Sequence, residues 1–197
     1  MDTLLALPYV SKDGFTGATV KSLLSGVGAC KILFIADQTQ VSARNVACAE
    51  ALKYGAKYLW FVDSDQDFPP DTLSRLKAVD ADVACADMWS RTWPSFRIVF
   101  QGTAPASDEV ADRGQVEDIT YCGMGCTLIK TSILKRLETK EQPWFWTAHN
   151  GEDATFCFKV LEAGGTVKCD FSLKSGHWSY CRMVGQEFTR DRKSLDG

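Results

Sequence analysis

At 197 residues, with 45% apolar and 24% charged side chains, the chain has the size and composition of one soluble domain around a single hydrophobic core. A net charge of −3 excludes a strongly basic protein that coats nucleic acid by charge alone. No apolar run approaches the roughly 20 residues of a membrane span, and the opening MDTLLALPYV lacks a basic leader, so the expected location is the cytoplasm.

Three apolar runs come first: LLALPYV, KILFIAD and KYLWFVDSD. Each lacks polar alternation, as strands buried on both faces of a parallel sheet do. SARNVACAEALKYG, between the second and third, has a small apolar helical face and a closing Gly55, which makes strand, helix, strand and predicts an α/β fold with a mostly parallel sheet flanked by helices. PDTLSRLKAV reads as a short helix after Pro69 and Pro70, and DVACAD as another strand. FRIVF and CTLIK predict strands of a less regular, mixed second half. TSILKRL predicts a helix capped by Thr131 or Ser132, and TAPASDEVADRG (residues 103–114) an exposed loop. NGEDATFCFKVLEAGG predicts a helix with Asn150 as cap and acids in its first turn, and TVKCDFSL a last strand. One domain is expected over 1–197, with halves at 1–102 and 115–181 and a charged tail at 182–197.

Eight cysteines are read as reduced thiols. Cys122 and Cys126 have C-x3-C spacing, but no second Cys/His pair stands at zinc-finger distance.

FVDSDQDFPP raises the chemical question, because Asp63, Asp65 and Asp67 crowd the end of a buried run. Residues two apart on a strand face the same way, and ligands of open parallel sheets bind beyond the carboxyl ends of strands. Carboxylates converging there suit a hard cation, Mg²⁺ or Mn²⁺. The competing reading is an acidic turn with Asp71 capping the next helix. An EF-hand is excluded by Pro69-Pro70 and by the lack of glycine at the sixth loop position.

The ordered set LLALPYV, SARN, FVDSD, CGMGCTLI, GED and SGHWSY resembles the family 2-like glycosyltransferases of GT-A fold, particularly small bacterial and phage ones, over roughly residues 3–180. The resemblance implies a GT-A (Rossmann-like) fold, a nucleotide-sugar donor such as a UDP-hexose, a divalent metal (Mn²⁺ or Mg²⁺), and sugar transfer to an acceptor hydroxyl. It places Pro8 and Tyr9 beside the nucleobase, and Arg44 and Asn45 near the donor nucleotide. Asp63 falls on the ribose or the metal's water shell, with Ser64 beside it. Asp65 and His177 become metal ligands. On residues alone, Gly123 and Gly125 either let backbone approach the donor sugar or mark a bulge. Asp153 becomes the general base, with Glu152 orienting it or touching the acceptor, which implies inversion. On residues alone, His177 reads equally as a ring packed beside Trp178, and Glu152 and Asp153 as acids favoured by a helix dipole in any protein.

Acceptor candidates are Trp89, Arg91, Trp93 and WFW (144–146), with core packing as the alternative. Lys174, Arg182 and residues 190–193 are candidates to close over a diphosphate. The chain departs from the family where SKDGFTG replaces an acidic residue after the first strand; Asp37 takes the nucleobase role instead. It also lacks the Gln-x-x-Arg-Trp element of processive enzymes, so a single transfer per encounter is expected. The acceptor is a saccharide or, as in phage relatives, a hydroxymethylated pyrimidine of DNA, and the location would then be the host cytoplasm. Two other classes remain: a nucleotidyltransferase-like enzyme, disfavoured because Lys12, Gly14 and Gly17 make no G-x-x-x-x-G-K-[ST] loop, and a non-catalytic nucleotide-sugar-binding protein.

Overall fold

The run of residues 3–9 becomes strand β1 (Thr3–Tyr9), fully buried over its first five residues. The computed structural model describes residues 2–92, 94–139, 142–148, 151–179 and 182–184. Helix α1 (Gly17–Gly26), β2 (Lys31–Ala36), α2 (Gln40–Lys53) and β3 (Tyr58–Val62) follow, then the two-residue β4 (Gln66–Asp67), α3 (Thr72–Ala78) and β5 (Val83–Met88). The second half holds β6 (Val99–Gln101), β7 (Ala104–Pro105), α4 (Asp108–Asp112), β8 (Val116–Asp118), β9 (Tyr121–Cys122) and β10 (Cys126–Lys130). It ends with α5 (Thr131–Leu137), α6 (Gly151–Glu162), β11 (Val167–Ser179) and β12 (Arg182–Val184).

The main sheet runs β12-β11-β5-β10-β3-β1-β2, with β4 and β8 also paired to β11. β1 lies parallel to β2 and β3, and β11 parallel to β5, while β10 inserts antiparallel between β3 and β5. β6, β7 and β9 form a small antiparallel sheet. This is the α/β architecture expected, with its mixed second half.

Trp60, Phe61, Phe145, Phe156 and Phe171 are the largest fully buried side chains. Phe145 stacks on Phe156 at 4.4 Å and meets Phe61 edge-on at 6.0 Å, so the middle of WFW belongs to the core. Trp144 donates its indole N–H to the Leu134 carbonyl at 2.9 Å, a packing role as well.

Several local expectations are corrected. β2 is the sheet edge, and its Ile32 and Phe34 are exposed where burial on both faces was expected. β3 stops at Val62, so Asp63 and Asp65 stand in a turn beyond the strand rather than on it, and Asp67 falls on β4. Residues 103–114 are not a bare loop: they hold β7 and α4, whose N-cap Ser107 accepts from Val110 N. Thr131 does not cap α5 but donates its hydroxyl to the Ala56 and Lys57 carbonyls, tying the helix to the connection between α2 and β3. Asp71 makes no side-chain cap bond, which removes the capping explanation of the acidic turn. Gly55 does adopt a left-handed φ of 64° after α2, as a helix-ending glycine does.

The seven described cysteines are free thiols, and six of them are buried. Cys181, Trp93, Asn150 and residues 185–197, with the proposed closing segment 190–193, lie outside the described residues, as does the Arg182 side chain. Among the described residues no helix is long and apolar enough to cross a membrane.

Candidate functional site

The turn after β3 is built by its own backbone. Asp63 N donates to the Gly125 carbonyl at 3.0 Å, and Gln66 N donates to the Asp63 carbonyl at 3.2 Å. The Ser64 carbonyl accepts from Thr16 N and from the Thr19 hydroxyl, both at 3.0 Å, fastening the turn to the start of α1. Ser64 thus contributes through its main chain.

β11 brings the histidine. It runs beside β5 to Asp170, shifts register before Lys174, and continues far enough to pair Gly176 with Asp67 and His177 with Gln66. Trp178 N donates to the Asp65 carbonyl at 2.8 Å. His177, 9% exposed, therefore stands with Nε2 3.3 Å from Asp65 Oδ1 and Nδ1 2.8 Å from the Trp89 carbonyl. A carbonyl only accepts, so Nδ1 carries a proton and donates it. Without a second proton, Nε2 then turns a lone pair toward a carboxylate oxygen, an arrangement that a proton or a metal cation must bridge.

Asp65 Oδ2 accepts from Arg91 Nη1 at 2.6 Å. Burial would raise the Asp65 carboxyl, but the His177 hydrogen bond and the charges of His177 and Arg91 outweigh it and hold the group below its ordinary range. Asp63 goes the other way: burial, only partly countered by Arg44 and reinforced by Asp65, raises it. The two aspartates thus differ in environment despite standing two residues apart.

The second acidic group faces them from α6. Arg44, on α2 and 3% exposed, donates Nη1 to Glu152 Oε1 and to Asp153 Oδ1. Asp153 Oδ2 accepts from Met124 N at 3.2 Å. Burial, opposed by Arg44 but reinforced by Glu152 and Asp63, lifts the Asp153 carboxyl to about 7. Its side chain keeps 24% of its surface open. Arg44 is the hinge of the electrostatics, since its charge acts on Asp153, Asp63 and Glu152 together.

The two glycines serve this geometry. A Cβ on Gly125 would stand 2.8 Å from Gln66 Nε2 and 3.1 Å from Asp63 Oδ2; one on Gly123 would meet Ile98 Cδ1 at 2.8 Å and lie 3.9 Å from Asp153 Oδ2. Both are places where backbone passes close to side chains of the site.

Other expected residues fall elsewhere. Asn45 does not turn to the acidic group: its amide donates to the Phe145 carbonyl at 2.7 Å and accepts from Phe145 N at 3.0 Å. Pro8, Tyr9 and Asp37 gather at the ends of β1 and β2, where Asp37 N donates to the Tyr9 carbonyl and Tyr9 packs on Phe15 at 4.9 Å. Asp37 sits at a φ of 54°, and its carboxylate accepts from Ser11 N and Oγ, bonds that lower its pKa. Lys174 is committed to Asp87 Oδ2 at 2.8 Å rather than standing free to close over a ligand.

Three features escape a reading of the sequence. Gln66 is fully buried, accepts from the Ser175 hydroxyl at 2.7 Å, and has no partner for Nε2 among the described residues. Buried Asp87 binds Arg97 Nε at 2.7 Å, and the Arg97 guanidinium lies 4.8 Å from the Trp89 ring whose carbonyl orients His177. The third is the Arg91–Asp65 pair. Only the position of Gln66, directly after FVDSD, offers a sequence signal.

Among the described residues no three His, Cys, Asp or Glu side chains form a ready metal cage. The available donors are Asp65 and His177, with Asp63 nearby in the same turn. Such a sparse set fits a cation that completes its shell with water and substrate oxygens, as Mg²⁺ does in phosphate-handling sites.

No family model and no curated protein matches the sequence. Solved structures do match. A197 from STIV superposes with a TM-score of 0.68 at 19% identity, covering 91% of this chain and 86% of that one. S. aureus TarS 1–349, solved in complex with UDP, superposes with a TM-score of 0.55 at 14% identity, covering 86% of this chain and 57% of TarS 1–349. At these identities the likeness is one of fold, and the chain has the Rossmann-like, GT-A-type α/β fold that the motif resemblance implied.

Proposed function

We propose that this protein is a nucleotide-sugar-dependent glycosyltransferase that moves a hexose, from a UDP-linked donor, to an acceptor hydroxyl with inversion. The observation that carries the reading is the Asp65–His177 pair beyond the end of β3, together with Asp153 on α6, which buried Arg44 links to Asp63 of the same turn. The fold likeness to a UDP-bound structure supports the donor class.

In this reading Asp65 and His177 hold Mn²⁺ or Mg²⁺, with Asp63 serving the ribose or the cation's water shell. The Trp89 carbonyl keeps His177 in the tautomer a ligand needs. When bound, the cation supplies Lewis acidity at the diphosphate oxygens and offsets the leaving-group charge. Asp153 takes the proton of the acceptor hydroxyl as its oxygen bonds the anomeric carbon and the bond from that carbon to the diphosphate breaks, releasing the nucleoside diphosphate. A base poised near the working pH suits that step, and general-base catalysis contributes about 10²- to 10⁴-fold. Glu152 shares Arg44 with Asp153 and so fixes where the base points. In this reading Tyr9, Pro8 and Asp37, at the ends of β1 and β2, contact the nucleobase. The acceptor is a saccharide or a hydroxymethylated pyrimidine in DNA, both offering the same nucleophile.

The test is a thermal-shift panel of nucleoside diphosphates and nucleotide sugars with Mn²⁺ and with chelator. UDP or a UDP-sugar is expected to raise Tm only with the cation. Equal shifts in chelator would remove the metal from the donor site, and no shift with any nucleotide would overturn the reading.

A further inference from the structure

Arg91 lies against the acidic turn on the same carboxylate that a ligand cation would use. Its Nη1 donates to Asp65 Oδ2 at 2.6 Å, while Oδ1 of the same carboxylate faces His177 Nε2. The Arg91 side chain is 56% exposed and that of Asp65 only 16%. The backbone that carries it is tied down. Trp89 and Arg97 form a bridge, Ser90 N donates to the Phe96 carbonyl at 2.8 Å, and Phe96 N donates to Ser90 Oγ at 3.1 Å. Buried Arg97 anchors that bridge from below by donating to Asp87 and to the Ala106 carbonyl, each at 2.7 Å. The segment that carries Arg91 is thus anchored on both sides of it, at Trp89–Ser90 and at Phe96–Arg97.

We infer that Arg91 is a donor-binding residue parked on Asp65, which exchanges that carboxylate for the donor diphosphate and so couples cation binding to donor binding. The inference rests on the function proposed above. A cation between Asp65 Oδ1 and His177 Nε2 shares that carboxylate with the guanidinium on Oδ2, and repulsion between the two positive charges drives Arg91 off Asp65. Alone, the cation leaves Arg91 in water without its anion. With a diphosphate, the displaced guanidinium gains oxygen acceptors that match its planar fork. Each ligand then strengthens the other, and by reciprocity the coupling is the same measured from either side.

Mn²⁺ binding by the full chain, measured by calorimetry with and without UDP, tests this in wild type, Arg91→Met and Arg91→Lys. Wild type is expected to bind Mn²⁺ more tightly with UDP present. Arg91→Met removes the competitor and should tighten Mn²⁺ alone by about two- to fivefold, the scale of a partly exposed ion pair. The same variant should weaken UDP at saturating Mn²⁺ by about tenfold, the scale of a charged hydrogen bond, so the coupling shrinks from both ends. Arg91→Lys keeps a charge over Asp65 without the fork, and should leave Mn²⁺ affinity near wild type while weakening UDP. Unchanged or weaker Mn²⁺ binding in Arg91→Met, or unchanged UDP binding, overturns the inference while the proposed function stands. A wild-type chain that binds neither Mn²⁺ nor UDP at millimolar concentration overturns both.

Discussion

Arg44 and Asp153 are joined by a hydrogen bond across 109 positions of chain, with Glu152 accepting from the same Nη1. The guanidinium is nearly fully buried, and it offsets two carboxylates of α6 as well as Asp63. Replacing it with Met leaves buried carboxylates uncompensated, which costs about 3 kcal/mol. For a domain of this size, that is a fall in Tm of about 6 to 12 °C. Arg44→Met should therefore show both a lower Tm and lost transfer, whereas a Tm unchanged within 2 °C, roughly the shift for half a kcal/mol, would deny Arg44 this role.

Asp153 predicts a pH profile. Its carboxyl titrates at about 7, so below that pH it holds a proton and cannot act as base; kcat/KM should rise with pH and level off above about 7. The same shift bears on stability. The folded state retains a proton that the unfolded chain releases above its ordinary 3.8, so this group lowers stability as pH rises from about 4 to about 7. Asp153→Asn should keep UDP binding, lose transfer by about 10²- to 10⁴-fold and flatten that part of the stability curve. Full transfer by the variant would remove Asp153 as base.

Asn45 predicts a structural phenotype. Its side chain satisfies both the N–H and the carbonyl of Phe145, the residue at the centre of the aromatic stack. Asn45→Ala strands both groups and should cost about 2 kcal/mol in denaturant unfolding, with donor affinity in the surviving fold little changed. A large loss of UDP affinity without loss of stability would return Asn45 to the donor site.

Gly125 predicts a steric one. A methyl group there meets Gln66 Nε2 and Asp63 Oδ2 within 3.1 Å, and the fully buried Gln66 has little room to yield. Gly125→Ala should destabilise by about 1 to 3 kcal/mol and weaken Mn²⁺-dependent UDP binding. Wild-type Tm and wild-type UDP affinity in this variant would show that the turn relaxes freely.

Much of the architecture was legible because it rests on local regularities. The apolar run that forms β1 is buried between two covered faces, although the similar run of β2 lies at an exposed edge, and Gly55 takes a backbone angle that most residues avoid. The clustering of Asp63 and Asp65, and the Glu-Asp pair opening α6, were equally visible as chemistry without a place.

Residue patterns alone were enough for the main strands and for α2, α3, α5 and α6, and for the identity of the charged groups, because period and residue type are properties of neighbours in the chain; they missed α1, and β7 and α4 within 103–114. Which charges meet was settled by how those elements pack. The extension of β11 past its register shift puts His177 on Asp65, α2 delivers Arg44 to α6 while turning Asn45 into the core, and Arg91 lands on Asp65. Such pairings depend on strand register and on burial, which lowers the local dielectric and makes long-range partners count; neither is encoded in any short stretch of residues.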